Sequence, residues 1–158
     1  MVDKIKKIWN EKPLLSIVII ALIPRLLAAF FSKGYGMHDA HFGPVEFTFQ
    51  MIKDFSIWEN RNLPMFFSVV YQSIHFFLFK FMEIIGIDDP QDKMTIVRLI
   101  HSLYSLFIVI LGYKITEILS KDIKISKIVG IVLALFWILP FMSVRNLSEM
   151  VCIPPLMA

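Results

Sequence analysis

The run LLSIVIIALIPRLLAAFF, residues 14–31, decides the fold class of this chain. At a rise of 1.5 Å per residue, a helix over these residues is about 27 Å long, enough to span a bilayer core with its flanks. Pro13 suits the first turn of that helix. The run is long for a signal peptide, and Pro24-Arg25 interrupts it where no cleavage site belongs. The stretch therefore predicts a membrane-spanning helix.

The composition extends this prediction to the whole chain. Of its 158 residues, 57% are hydrophobic and 18% are charged, whereas soluble domains average about 45–50% and about 25%. A soluble domain of this size could not bury so much apolar surface. The fold class is expected to be all-α, a polytopic helical membrane protein. The net charge of +3 comes from lysines at the ends of apolar runs, which does not indicate nucleic acid. The single Cys152 excludes an internal disulfide.

The apolar pattern predicts one transmembrane domain over residues 1–158, and its order sets the expected topology. Residues 88–92 are acidic and the lysines between 114 and 127 are basic, so the positive-inside rule favours residues 65–87 on the outer side, with the N-terminus in the cytoplasm. The alternative is that residues 65–87 cross the membrane, which would place the acidic loop in the cytoplasm and the basic loop outside, against the rule. The final run is shorter than the roughly 20 residues that a span needs, which suggests a fragment of a longer protein. The predicted segments are spans at 14–31, 96–118 and 128–144, the start of a fourth at 150–158, and an outer loop over 33–95 with interfacial helices at 44–57 and 65–87.

The stretch GYGMHDAHFGPVE, residues 34–46, carries the ionisable groups of the predicted outer loop. Asp39 is a candidate general base, because a carboxylate can take a proton from an attacking hydroxyl; the alternative is a helix cap or a hydrogen-bonded loop aspartate. His38 and His41 with Asp39 could hold a divalent metal, but neighbouring His and Asp side chains rarely converge on one ion, so interfacial hydrogen bonding is favoured and no cofactor is expected. Glu46 either lines the same site or lies on the polar face of a surface helix.

Two arginines stand out against the apolar background. Arg25 lies inside the first predicted span, where a charge is costly unless it snorkels or finds a partner such as Asp39 or a lipid phosphate. Arg145 follows the third span and suits either phosphate recognition or an interfacial anchor. His75 and His101 are predicted to be packed polar residues.

These residues, in this order, resemble the membrane-embedded GT-C glycosyltransferases that use polyprenyl-phosphate sugars, above all the mannosyltransferase branch and its bacterial relatives. The resemblance rests on Arg25, on His38-Asp39-Ala40-His41-Phe42 with Glu46 downstream, on an apolar helix opening near Leu63-Pro64, and on Arg145-Asn146-Leu147-Ser148-Glu149. It covers the N-terminal part of the family's fold. The family usually has a second acidic residue where this chain has Ala40, and often a Gln where it has Gly43.

The resemblance implies an inverting transferase of the bacterial cytoplasmic membrane, with its site on the outer face. Asp39 would be the catalytic base, the donor a lipid-linked sugar, and the acceptor a glycan, lipid or protein. Substrate-binding residues would be His38, His41, Glu46, Arg25, Arg145 and Glu149. Because the family's lipid-binding cavity needs C-terminal helices, this fragment alone is expected to be inactive. The alternative is a non-catalytic helical membrane protein, either a scaffold or subunit or a truncated relative, and a transporter ranks third.

Overall fold

The computed structural model describes residues 2–34, 42–58 and 69–158, and every regular element within them is helical, as the all-α prediction requires. His38, Asp39 and His41 lie outside the described residues. The described α-helices are α1 (Val2–Glu11), α2 (Pro13–Phe31), α3 (Phe47–Lys53), α4 (Val69–Ile84), α5 (Pro90–Tyr104), α6 (Leu106–Ser120), α7 (Ile123–Leu135), α8 (Ile138–Ser143) and α9 (Ser148–Met157). A π-helical turn, Phe42–Glu46, precedes α3, and a 3₁₀ turn, Phe55–Trp58, follows it.

Within the described ranges, two helices are long and apolar enough to cross a membrane: α2, with 19 residues, and the joined α5 and α6, with 31 residues from Pro90 to Ser120. Helix α2 begins one residue before the predicted span 14–31. The predicted span 96–118 lies inside the joined helix, which begins earlier because Asp89 caps it by accepting hydrogen bonds from the Gln91 and Asp92 amides. The membrane assignment of these segments stays a prediction.

Helix α2 packs through a narrow face repeated every four residues. Its buried residues are Ile17, Ala21, Arg25 and Ala29. Arg25 Nε donates to Ser105 Oγ at 2.9 Å and Arg98 Nε donates to the Ala29 carbonyl at 2.9 Å, so α2 runs antiparallel to the joined α5 and α6. The outward face of α2 carries exposed apolar side chains, at Leu15, Ile19, Ile23 and Leu27.

The predicted third span, 128–144, is two helices in the structure. Helix α7 ends at Leu135, the backbone of Phe136 is extended, and α8 begins at Ile138. The cause is Pro140, which has no N–H group and whose ring would clash with the carbonyl four residues earlier, that of Phe136. Helix α7 also begins earlier than predicted, at Ile123, because the Asp122 side chain caps it.

Helices α4 and α5 form an antiparallel hairpin beside α3. The turn between them contains Gly86 with φ +83°, a left-handed conformation that favours glycine. Phe79 and Met82 of α4 pack with Val97 of α5 and with Val45 in the π-helical turn. Near the turn, Lys93 Nζ donates to Glu83 Oε1 at 3.0 Å. The hairpin therefore holds the first turns of α4 beside the last turns of α5.

Candidate functional site at the end of helix α2

The site begins where Arg145 meets the end of α2. Arg145 Nη2 donates to Ser32 Oγ at 2.7 Å, and Nη1 donates to the carbonyls of Lys33, at 3.3 Å, and Gly34. The guanidinium also lies 4.6 Å above the ring of Phe141. A cation at a helix C-terminus is stabilised by the free carbonyls and by the helix dipole. Arg145 therefore fixes the point from which the chain leaves α2 toward residues 35–41.

Arg145 still has donors to offer. An arginine carries five N–H groups, and three hydrogen bonds join this one to the end of α2. Its Nε is buried and has no hydrogen-bond partner among the described residues. A guanidinium can bind a phosphate or carboxylate oxygen in a planar, bidentate manner. Arg145 therefore holds the end of α2, and its predicted role toward an anion stays a prediction.

Three aromatic side chains pack together in the α4–α5 hairpin: Tyr71, His75 and His101. His75 Nδ1 donates to the Tyr71 carbonyl at 3.0 Å, which leaves Nε2 as the free acceptor of the neutral ring. The ring of His101 lies 6.3 Å from that of His75, and the Tyr71 hydroxyl lies 3.5 Å from His101 Nε2. His75 and Tyr71 are almost fully buried. The first half of α4 therefore presents a polar face to the bundle.

Asn146 links this polar face to the Arg145 turn. Burial lowers the pKa of His75, while the Tyr71 carbonyl and the Asn146 side chain act in the opposite direction. Among the described residues, His75 Nε2 and Asn146 Oδ1 are both buried and have no hydrogen-bond partner. These two polar groups belong to α4 and to the turn that carries Arg145.

The two predicted glutamates lie at the edges of this region. Glu149 is exposed in the first turn of α9, a favourable place for an acid. Burial raises the pKa of the Tyr71 phenol, and the charge on Glu149 adds to that rise. Glu46 is the last residue of the π-helical turn and is half-buried.

Arg25 is used inside the bundle. Its side chain has no exposed surface. Besides Ser105, it donates from Nη1 to the carbonyls of Ala21 and Ala134, both at 3.1 Å, and from Nη2 to the Leu133 carbonyl at 3.2 Å. These contacts hold the guanidinium inside the bundle, between α2, Ser105 and the end of α7. Its predicted role toward a phosphate stays a prediction, and the contacts present hold helices together.

Of the predicted site residues, the structure thus places Arg145 at the end of α2, Glu149 in the first turn of α9, and Arg25 deeper in the bundle. Three neighbours of Arg145 and Glu149 were not predicted to belong to the site: Tyr71, His75 and Asn146. Tyr71 and His75 are four residues apart in an otherwise apolar run, a spacing that puts them on one helix face. That spacing is the signal from which the sequence could have indicated a polar inner face on α4.

Comparisons of the chain with protein-family models, with curated proteins and with solved structures gave no match. In residues 2–34, 42–58 and 69–158, no group of three or more His, Cys, Asp or Glu side chains is placed to hold a metal ion.

Proposed function

We propose that this chain belongs to a membrane glycosyltransferase of the GT-C kind, which transfers a sugar from a polyprenyl-phosphate donor to an acceptor hydroxyl on the outer face. The observation that carries the proposal is the bond between Arg145 and Ser32. It joins two motifs that are 113 residues apart in sequence, the exit of the first helix and the Arg145–Glu149 segment. The Arg145–Glu149 segment is one of the features that carry the family resemblance, and the 34–46 stretch, which carries another, begins two residues after Ser32.

The surface of α2 supports a membrane location. A core helix of a soluble protein has most of its side chains buried, whereas only 22% of the most apolar window of α2 is buried. Its outward side chains, at positions 15, 19, 23 and 27, are apolar and about half exposed. Such a stripe is favourable against lipid acyl chains and unfavourable against water.

The position of Asp39 in the sequence relates it to the contacts that the structure describes. Asp39 is five residues beyond Gly34, whose carbonyl accepts from Arg145, and three residues before Phe42. The proposal assigns it the role of general base because a carboxylate in this motif can take a proton from an attacking hydroxyl.

In the proposed reaction, the acceptor hydroxyl gives its proton to the Asp39 carboxylate while its oxygen attacks the anomeric carbon of the donor. The bond from that carbon to the polyprenyl-phosphate oxygen breaks, the phosphate leaves with the electron pair, and the configuration inverts. Arg145 offsets the charge of the departing phosphate with its remaining N–H groups, an effect that is strong where water is excluded. Glu149 and the histidines of the 34–46 stretch would contact the sugar or the acceptor.

The test is transfer by the intact protein in membranes supplied with polyprenyl-phosphate sugars. We expect Asp39→Asn to lower the rate by about 100-fold or more, with unchanged amounts of inserted protein. Asp54→Asn is the matched control, because Asp54 is exposed and its carboxylate accepts a local hydrogen bond from the Ser56 amide. Wild-type rates in Asp39→Asn would reject the base assignment. Absence of transfer by the wild type with such donors would reject the enzyme and favour the non-catalytic helical membrane protein.

A further inference from the structure

The opposite end of the bundle carries an open groove that the proposed reaction does not use. The first turns of α2 and the last turns of α6 line it, and its volume is about 670 Å³. Its floor is apolar, and its main floor residues are Leu14, Leu15, Val18, Ile110 and Tyr113. We call it the α2–α6 groove. Both helices that are long enough to cross a membrane contribute to it, at the end where α2 begins.

Charged side chains line the rim of this groove. They are Glu11 and Lys12 on the α2 side, and Lys114 and Glu117 on the α6 side. Glu11 is already paired with Lys7 at 3.8 Å. In the part of the chain that the structure describes, Lys12 and Lys114 form no ion pair, and both are exposed. Two ammonium groups without an ion pair among the described residues thus lie at the rim of the α2–α6 groove.

The whole end of the bundle around the groove is basic. The described side chains there comprise seven lysines, at positions 6, 7, 12, 114, 121, 124 and 127, against three acids, at positions 11, 117 and 122. At the other end, six cations, at positions 33, 53, 80, 93, 98 and 145, face seven acids, at positions 46, 54, 83, 88, 89, 92 and 149. A cluster of lysines at one end of membrane-spanning helices attracts anionic lipid headgroups.

We propose that the α2–α6 groove binds one anionic phospholipid on the cytoplasmic side, with an acyl chain on the apolar floor and the phosphate between Lys12 and Lys114. The floor of the groove offers apolar contact and the rim offers positive charge. Only a molecule with both an apolar chain and an anionic group contacts the whole groove. A free phosphate would leave the floor exposed to water, and a neutral lipid would leave the excess of lysines at this end of the bundle uncompensated. This inference rests on the membrane location proposed above and is independent of the transfer reaction.

The test is the lipid retained by the intact protein in nanodiscs made from equal amounts of phosphatidylglycerol and phosphatidylcholine, read by native mass spectrometry. We expect phosphatidylglycerol to be enriched about fivefold or more on the wild-type protein, and the enrichment to fall to about one in the Lys12→Gln, Lys114→Gln double variant. The matched control is Lys33→Gln, Lys53→Gln, which removes two exposed lysines from the other end of the bundle and should keep the enrichment.

A second variant, Val18→Trp, tests the floor without changing any charge. It places an indole in the groove and should reduce lipid retention, whereas millimolar glycerol phosphate should displace no lipid from the wild type. Enrichment that persists in the lysine double variant, or that is absent from the wild type, overturns the proposal. Displacement by glycerol phosphate would show a soluble phosphate site instead and would also overturn it. The measurement of bound lipid does not involve sugar transfer. A negative result for lipid binding therefore leaves the proposed reaction standing, and absence of transfer does not affect the lipid result.

Discussion

Arg25 Nη1 donates to the Ala134 carbonyl at 3.1 Å, at the point where α7 ends ahead of Pro140. In an unbroken helix this carbonyl would accept from residue 138, and that of Leu133 would accept from residue 137. The break frees both carbonyls, and Arg25 binds both. A costly buried charge and a costly pair of buried carbonyls thus satisfy each other.

We therefore expect Arg25→Lys to lower the free energy of unfolding by about 2–4 kcal/mol, because one ammonium cannot reach Ser105 and both carbonyls together. Thermal unfolding of the purified protein in detergent measures the change. Ser105→Ala removes one of these contacts and should cost less. A variant Arg25→Lys as stable as the wild type, but with a raised KM for the donor, would instead support the predicted contact with a lipid phosphate.

Arg145 provides a second prediction, on activity. Arg145→Gln removes the charge that the proposed reaction places near the departing phosphate, so we expect kcat/KM to fall by about 10- to 100-fold. Ser32→Ala removes only one acceptor at the end of α2 and should have a smaller effect. Full transfer by a correctly inserted Arg145→Gln protein would exclude Arg145 from the reaction.

His75 is expected to position the turn that carries Arg145 and Asn146. The amide of Gln can replace Nε2, which faces Asn146, whereas the amide of Asn replaces Nδ1, which binds the Tyr71 carbonyl. We expect His75→Gln to keep most of the activity and His75→Asn to lose about tenfold in kcat/KM, because only Gln keeps a polar group at the position of Nε2. Unfolding temperatures of both variants separate this effect from folding, and equal activities in the two would contradict the positioning role.

The Glu83 carboxylate gives a prediction on pH. Its hydrogen bond with Lys93, which is buried, lowers the pKa of Glu83, and Lys80 contributes as well. A carboxylate with a lowered folded-state pKa stabilises the protein above its unfolded pKa, about 4.3, and this contribution is lost as pH falls through the folded value. We expect Glu83→Gln to cost about 1–2 kcal/mol at pH 7 and little at pH 3.

Differential unfolding measured at both pH values checks this prediction. Asp88→Asn serves as the control, because it removes one exposed carboxylate from the same hairpin turn and leaves the Glu83–Lys93 ion pair intact. An equal loss of stability at pH 7 and pH 3 in Glu83→Gln would show that the ion pair with Lys93 is not the source.

Much of the helical layout could be predicted from the sequence, because it depends on local chemistry. The run 14–31 differs from helix α2 by one residue, and the predicted 65–87 segment contains α4 at Val69–Ile84. The prediction over 128–144 was incomplete because it followed hydrophobicity alone and did not weigh the clash that Pro140 makes with the preceding turn. Apolar content indicates only that a segment avoids water. The break between α7 and α8 depends instead on one residue, Pro140, which has no backbone N–H.

The site was less accessible to sequence reasoning. Arg145 and Glu149 could be singled out as charges beside apolar runs, but not the contact of Arg145 with Ser32, which comes from the end of a different helix. His75 was predicted to be a packed polar residue, and it is buried, yet its neighbour Asn146 could not be foreseen. Sequence spacing reports neighbours along one helix, and these pairs join different helices.

By itself, the sequence determined that the chain is helical, that one end of the bundle is basic, and that two arginines must find partners in apolar surroundings. Only the tertiary structure decided which partners these are: the freed carbonyls of α7 for Arg25, and the end of α2 for Arg145. The physical reason is that the cost of burying a charge is set by residue type, which is written in the sequence. The relief of that cost needs acceptors at hydrogen-bonding distance, and those are brought near only by the packing of helices.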